Sequence, residues 1–568
     1  MKNKEKKTLL IAIICCAVIG LGSFVGCETE ARLDLPQQKT VGEETVQQSP
    51  STPEVENKEE VSSKLEGSAT SNDPVSSDAE IPLTTPSVVP VAWTSKLFTE
   101  QIPEVNLPTV SDETILGMRQ YNTLDLNLVK NNDDLKAAIK NLKYVTAVDH
   151  QGNYSTCWAY ATAAALEAAI LKRNPLQAET LDLSEVLLVY YRYNTVPTPI
   201  GGLAVDDRAD LNSNMFETGG YPSNLINTLC SWAGVVNEST YPDINEITFH
   251  NIDRTETYKN QVALVTSAGI ITTNANRWTV KDTSKVDEGV LKMKKYLYTY
   301  GALATAYNMS KSIPYEGDHK NYGSYTTASS ASVNHAITIV GWDDNFDSWY
   351  TAKPNTAYMR PPKSGAWLVK NSYGDNFGNG GYFWLSYYDS TIASWAFYCD
   401  VASVEEYDNN YQYDSASDGD ESIGGITSTI LQTANVFTAQ GNEDLKAVQF
   451  GMAYDNMKYQ IDVYLNPDKN YPTSGEHMTS VQGSILPSGR HTVRLSTPIK
   501  LNKGDTFSVV VTYETETNHT PTAEYESTAN SLAGQSFYRQ GTNDNWRDMY
   551  HEGKGNLRLK AFTKNRAQ

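Results

Sequence analysis

Cys157 follows Gln151 by six residues in QGNYSTCWAY, and a run of alanines and leucines comes after it. A free thiol is mostly protonated at neutral pH, so a nucleophilic cysteine needs its charge stabilised. The stretch STCWAYATAAALEAAILKR predicts a helix, opened by Ser155 or Thr156 as cap and closed by basic residues. Cys157 then sits where unpaired backbone N–H groups and the helix dipole favour an anion. The second device is an imidazole. His477, His491, His519 and His551 fall in a strand-rich C-terminal region, His250 and His319 in polar loop sequence, and His150 beside Gln151. His335 opens the apolar stretch NHAITIVGW, which puts an imidazole on a rigid strand. Asn371, where WLVKNSYGDNFGNGGYFWLSY leaves a strand for a Gly-rich aromatic turn, can accept the other ring N–H and fix the tautomer. The Gln151 amide and the Cys157 backbone N–H are donors for a developing oxyanion. Taken singly, each residue is more often structural: a buried cysteine, a satisfied strand histidine, a turn asparagine. Taken jointly, they point to acyl transfer by a thiol nucleophile.

Five blocks, in order along the chain, carry a resemblance: DHQGNYSTCWAY, LSEVLLVYY, ETGGYPSNLINTLCSWAGVVNESTYP, NHAITIVGWDD and WLVKNSYGDNFGNGGYFWLSY. Together they resemble the papain-like, cathepsin-type cysteine peptidases. The resemblance implies an α+β, two-lobed peptidase domain with Cys157 as nucleophile, His335 as base and acid, Asn371 orienting His335, and Gln151 completing the oxyanion hole. It implies that Gly219 and Gly220 offer extended backbone to a substrate strand. Tyr221 and Pro222 would line the pocket for the second side chain before the scissile bond, with Ala336 and Ala306 closing it. Such a pocket implies an apolar side chain there. Two residues depart from the family pattern. Tyr154 stands where a disulfide-forming cysteine is usual, and Tyr373 where a tryptophan usually covers the asparagine. His335 and Asn371 also lie further from Cys157 than is usual, which implies inserted loops such as FDSWYTAKPNTAYMRPPKSG.

The elements that must hold these residues follow from the patterning. Residues 119–404 are the expected peptidase domain, and from 146 to about 400 helical and strand signals alternate. NDDLKAAIKNLKY carries Leu135, Ile139 and Leu142 at helical spacing behind Asp133 and Asp134. HAITIVGWDD, GAWLVKNSYG and GGYFWLSYYD read as strands running into turns. Residues 405–568 consist of short segments rich in Val, Thr, Tyr and Phe, such as YQIDVYLN and TFSVVVTYE, which predicts an all-β sandwich. This order, and the NNYQYD entry, resemble surface peptidases of clostridia and archaea in which a lectin-like sandwich follows the peptidase. That resemblance implies a cell-wall or glycan ligand, although a sandwich alone fixes no function. Asp414, Asp418, Asp420 and Glu421 are hard-oxygen candidates for Ca²⁺, without EF-hand spacing; a solvated acidic loop is the competing reading. The expected chemistry requires no cofactor.

A chain of 568 residues exceeds one core, and its net charge of -21 argues against nucleic acid or anionic lipid as partners. Residues 1–27 read as an export signal: basic MKNKEKK, apolar TLLIAIICCAVIGLGSFV, then Cys27. The pattern resembles a bacterial lipoprotein signal with Cys27 acylated; an uncleaved anchor and ordinary signal cleavage are the alternatives. All three put the body outside the cytoplasm, either lipid-anchored on the outer face of the membrane or secreted. Residues 28–90 are acidic, rich in Ser, Thr and Pro and without aromatics, which predicts a disordered stalk. Residues 91–118 read as a short propeptide or a structured linker. In the exported body only Cys157, Cys230 and Cys399 remain, too few for a disulfide framework. Cys230 and Cys399 either form one bridge or are both buried and reduced. The expected function is an exported, cell-surface cysteine endopeptidase acting on proteins or peptides. The alternative is a surface adhesin whose β domain carries the function.

Overall fold

Alanine is what allows a helix to be packed on nearly every side, and the helix that begins at Cys157 shows it. A computed structural model describes residues 110–177, 180–194, 215–241, 260–273, 283–311, 323–326, 332–349, 360–414, 420–424, 429–454, 457–484, 487–515, 521–526 and 531–567. Cys27, the signal, the 28–90 stalk, Asp418, the Asp420 side chain and residues 350–359 of the loop between His335 and Asn371 lie outside these residues. The described helices of the first module are α1 (Asp112–Gly117), α2 (Asn132–Lys140), α3 (Cys157–Arg173), α4 (Glu185–Tyr193), α5 (Ile226–Cys230) and α6 (Thr283–Tyr300). Along α3, Trp158, Leu166, Ile170 and Leu171 are fully covered, because the intervening alanines let neighbours approach from several directions. Arg173 in its last turn meets Asp400 at 2.6 Å.

The expected cap of α3 is corrected. Thr156 occupies the N-cap position but makes no side-chain cap bond. For α2 the cap is Asn131, whose Oδ1 accepts from the N–H groups of Asp133 and Asp134, both at 2.9 Å. The described end of the 91–118 segment packs into the fold: Ile115 of α1 is buried, and Asp112 meets Lys295 of α6 at 2.7 Å.

The strands of the first module are β1 (Gln120–Tyr121), β2 (Leu264–Thr272), β3 (Leu303–Tyr307), β4 (His335–Asp343), β5 (Ala366–Lys370), β6 (Tyr382–Ser386) and β7 (Trp395–Ala402). The second module is built from β8 (Asn409–Tyr411), β9 (Asp420–Gly424), β10 (Ile430–Thr438), β11 (Glu443–Met452), β12 (Lys458–Leu465), β13 (Glu476–Ser484) and β14 (Gly489–Leu501), then β15 (Thr506–Glu514), β16 (Thr522–Glu526), β17 (Ser536–Gln540), β18 (Arg547–Asp548), β19 (Asn556–Leu557) and β20 (Leu559–Asn565). A sheet ordered β13-β12-β15-β10-β17-β18 packs over β14, β11 and β20 through a core that includes Val448, Phe450, Phe507 and Val509. A short sheet β19-β16-β9 completes this module.

The patterning suggests two independent domains, but the structure joins them in one antiparallel sheet. Its order is β6-β5-β4-β3-β7-β2-β14-β11-β20-β8, with β1 beside β4, and it crosses between modules where Ala268 pairs with Arg490. Side chains cannot be fitted at the crossing. A Cβ on Gly269 would lie 2.3 Å from the Ser488 carbonyl and 2.8 Å from the Gly489 Cα. Arg490, 2% exposed, donates from Nε and Nη2 to Asn227 Oδ1 at 3.1 and 2.8 Å and pairs with Glu524. Gln449 donates to the Thr266 carbonyl at 3.0 Å. Trp232, held at φ 64 where bulky residues are strained, sets its ring 4.7 Å from Phe562 and 6.2 Å from Tyr407.

The structure bears on two further expectations, at Asp414 and Glu421 and at the Cys230–Cys399 pair. Asp414 is not at a solvated loop: its carboxylate is buried against Lys560 at 2.6 Å and Arg558 at 3.2 Å, so two cations already neutralise it. Glu421 accepts the Tyr525 hydroxyl. Among the described residues no group of three or more His, Cys, Asp or Glu side chains is placed to hold a metal. The Cys230–Cys399 bridge is absent, and both are free thiols. Burial pushes Cys230 up to about 12 and Cys399 well above the usual thiol range, so each packs as a small apolar group.

Gly269→Ala should therefore lower stability by about 2 kcal/mol or more, the cost of forcing packed backbone apart. A urea melt followed by tryptophan fluorescence measures this; an unchanged midpoint would show that the crossing tolerates a side chain.

Candidate active site

Cys157 is the first residue of α3, with its side chain all but covered at 6% exposure. The Ala336 N–H, on β4, points at its Sγ from 3.4 Å. His335, the first residue of β4, thus lies next to the thiol in the chain that touches it. The helix start leaves first-turn N–H groups without intrahelical acceptors, and these and the dipole favour thiolate at this position.

The other half of the site comes from the turn after β5. Asn371 follows Lys370, and its Oδ1 lies 2.7 Å from His335 Nε2. Ser372 donates its backbone N–H to the same oxygen at 2.9 Å, which identifies Oδ1 as the carbonyl oxygen. His335 Nε2 must then carry a proton, and Nδ1 is the nitrogen free to exchange one with the thiol. Burial pushes the imidazole down to about 4, while the Asn371 acceptor works against that shift. A neighbouring thiolate supplies the opposite charge that favours imidazolium. Tyr373 stacks on the ring, with centroids 4.8 Å apart and planes at 27°.

Gln151 is tied to the same turn. Its backbone N–H donates to the Ser372 carbonyl at 2.9 Å, and its Oε1 accepts from Ser372 Oγ at 2.7 Å. Gln151 Nε2 donates to the Tyr154 carbonyl at 2.6 Å, and an amide nitrogen has a second proton to offer. The loop to Cys157 thus closes on itself. Ser155 N–H bonds the Phe216 carbonyl at 2.7 Å, and the Tyr154 ring packs 5.4 Å from Phe216, where the family has a disulfide.

A pocket of about 370 Å³ opens beside the thiol, lined by Gly219, Gly220, Tyr221, Pro222, Ala306 and Ala336 as the sequence suggests. Trp395 lines it too, and its ring meets Tyr221 in a T-shaped contact at 6.0 Å. Nothing in the sequence marks Trp395, which begins a strand with no local motif. Ser372 was equally silent, although it anchors both Gln151 and Asn371. Gly220 must be glycine because a Cβ there would lie 2.7 Å from the buried Trp158 ring. The Gly219 carbonyl accepts the Tyr193 hydroxyl at 3.1 Å, which ties this segment to α4.

Behind the site, Lys370 is buried among acids. Its Nζ donates to Thr146 Oγ1 at 2.8 Å and lies 3.8 Å from Glu167 and 3.7 Å from Asp149. Glu167, on α3, also accepts from Thr146 and from the Leu183 N–H at 2.9 Å. Burial pushes Glu167 up to about 7, with Lys370 opposing.

A cysteine at a helix start, an imidazole held by an asparagine and an adjacent glutamine define a thiol peptidase module, here continued by a β-sandwich. The family model for papain family cysteine protease matches residues 132–403, and that for the lectin-like domain matches 410–563. Residues 132–403 belong to the papain family, and a lectin-like domain follows. The chain is similar to cysteine proteinase 2 of Dictyostelium discoideum, 26% identical over 340 residues that cover 56% of this chain and 81% of that protein. It is also similar to viral cathepsin of Lymantria dispar multicapsid nuclear polyhedrosis virus, 24% identical over 239 residues, 42% of this chain and 50% of that protein. It thus spans about half of that second relative. Among solved structures, the cysteine protease and lectin-like domains of Cwp84, a surface layer associated protein of Clostridium difficile, superpose with a TM-score of 0.58. That match is 22% identical and covers 82% of this chain and 91% of that one. A Cwp84 structure after propeptide cleavage gives 0.57 at 23% identity, covering 79% and 99%. At these identities the likeness to Cwp84 is one of fold.

Lys370→Met leaves Glu167 buried without its cation and should cost about 3–5 kcal/mol. The double variant Lys370→Met/Glu167→Gln should recover most of that loss in the same urea melt. Equal loss in both would show that the lysine acts through packing alone.

Proposed function

We propose that this chain is an exported, surface-held cysteine endopeptidase that cleaves through Cys157, His335, Asn371 and Gln151. One observation supports it above the others: a thiol at a helix start abuts the strand whose first residue, His335, is clamped by Asn371 at 2.7 Å. His335 Nδ1 takes the Cys157 proton, and Sγ bonds to the substrate carbonyl carbon. The carbonyl oxygen becomes an oxyanion, accepting from Gln151 Nε2 and the Cys157 backbone N–H. His335 returns its proton to the leaving amine as the C–N bond breaks. Water, deprotonated by His335, then hydrolyses the thioester and frees the thiol. No cofactor enters these steps.

The pocket walls of Tyr221, Pro222, Ala306, Ala336 and Trp395 suit an apolar side chain two residues before the cut. Attachment by lipid on Cys27 follows from the signal pattern. A surface location is in keeping with the printed description of Cwp84 as surface layer associated. Among the described residues no helix is long and apolar enough to cross a membrane. The lectin-like match supports a cell-wall or glycan ligand for the β module beside the catalytic role.

Hydrolysis of a fluorogenic peptide with an apolar second residue should fall roughly 10⁴-fold or more in Cys157→Ala. A thiol-directed epoxide should label Cys157 in the wild type; equal turnover by both proteins defeats the proposal. Trp395→Ala deepens the pocket and should raise kcat/KM for a large aromatic second residue relative to valine by about tenfold or more. Competition assays on paired peptides read that ratio, and no change would remove Trp395 from the specificity pocket.

A further inference from the structure

We propose that Tyr373 is a positioning residue that offers its phenolic oxygen as a second acceptor to the His335 imidazolium, while Met309 holds the phenolic proton away. The inference rests on the Cys157–His335 reading above. Tyr373 stands where the resembled family has tryptophan, which has an indole N–H and no oxygen. Here the phenolic oxygen lies 3.3 Å from Met309 Sδ and 3.4 Å from His335 Nδ1.

A hydroxyl has one proton to give. Sulfur is a large acceptor, so 3.3 Å is a good O–H···S distance and the hydroxyl donates to Met309, whereas 3.4 Å to Nδ1 is long for a hydrogen bond in either direction and leaves the phenolic oxygen acting on the ring nitrogen chiefly as a dipole. The proton therefore goes to Met309, and a lone pair faces Nδ1. That arrangement is favourable when Nδ1 carries hydrogen. Nε2 already carries one, because Asn371 Oδ1 is an acceptor fixed by the Ser372 N–H. A ring protonated at both nitrogens is the imidazolium that pairs with a thiolate. When the Cys157 S–H bond breaks and Nδ1–H forms, the new N–H finds the thiolate and the phenolic oxygen, and the phenol keeps its own proton on Met309. The ring stack at 4.8 Å holds the phenol over the imidazole.

Several described groups face His335. Cys157 faces it from α3, Asn371 and Tyr373 from the turn after β5, and the Tyr307 ring from β3 at 6.1 Å. Lys370 and Asp149 line a separate cavity behind Asn371 and Ala336, and His150 sits against Gly374 beyond Tyr373. Tyr373 apart, none of these groups changes in the variants that test the idea.

An acceptor for imidazolium raises the pH at which that proton is lost, so removing it must bring the basic limb of the activity profile down. Tyr373→Phe keeps the ring and deletes the oxygen. It should move the basic limb of kcat/KM to lower pH by roughly half a unit to one unit. Met309→Leu should shift the limb the same way, because the phenolic proton is then released toward Nδ1. The double variant should shift no further than Tyr373→Phe. Alkylation of Cys157 by iodoacetate, an anion drawn to the imidazolium, should repeat the pattern without any peptide. An unmoved limb with a uniform loss of kcat/KM would leave Tyr373 as packing only and overturn the inference. An upward shift in Tyr373→Phe would make the hydroxyl a donor to neutral imidazole and also overturn it. A wild type that alkylates with this profile but cleaves no peptide defeats the function proposed above, and the Tyr373 comparison is then decided by alkylation alone.

Discussion

One buried cation fixes the distance across the site. Lys370 ends β5 and reaches toward Glu167 on α3, with Thr146 bonded to both. The same helix begins with Cys157, and the residue after Lys370 is Asn371. A strand and a helix that would otherwise slide past each other are thus tied within a few residues of the groups they present. An ion pair at this depth contributes little net stability against an apolar replacement, but breaking one half is costly. Its value here is register. The imidazole, the amide that holds it and the thiol come from three elements, and the proton transfer proposed between them tolerates little displacement.

The turn from Asn371 to Tyr373 concentrates most of the remaining control. Asn371 fixes the imidazole tautomer, Ser372 holds both Asn371 and Gln151, and Tyr373 covers the ring. The nucleophile activation and oxyanion stabilisation proposed above would therefore share one hydrogen-bonded support. The Gln151–Cys157 loop lacks the neighbouring disulfide of the resembled family. It closes through the Tyr154 and Phe216 rings and the Ser155–Phe216 bond, so close packing does what a covalent link does elsewhere.

Much of this was legible in the sequence because its signals are local. A helix after Cys157, strands at HAITIVGWDD and GAWLVKNSYG, and the strand-rich second half each follow from periodicity and residue type. Cys157, His335, Asn371 and Gln151 could be singled out because their residue types are chemically demanding. What escaped depends on contacts between distant segments. Trp395 reaches the pocket from a strand far along the chain, and Ser372 looks like any turn serine. Asp414 reads as one of an acidic run, yet Lys560 of the last strand and Arg558 just before that strand enclose it. The Thr156 cap failed because its backbone, at φ -102 and ψ 8, is not in the extended conformation that aims a cap oxygen at the first turn, and the Ala159 N–H bonds the Thr156 carbonyl instead. The shared sheet was invisible for the same reason: no pattern within β2 or β14 announces that they will pair.

That shared sheet gives the lectin-like module a role distinct from any ligand it holds. Were the chain after residue 404 taken away, β2 would become an edge strand with unpaired backbone groups at Ala268, and Trp232 would lose Phe562 and Tyr407. An exposed strand of apolar residues beside an uncovered indole is a template for aggregation. The second module therefore covers an edge that the first would otherwise expose, and the peptidase half is not a self-contained unit that ends at residue 404.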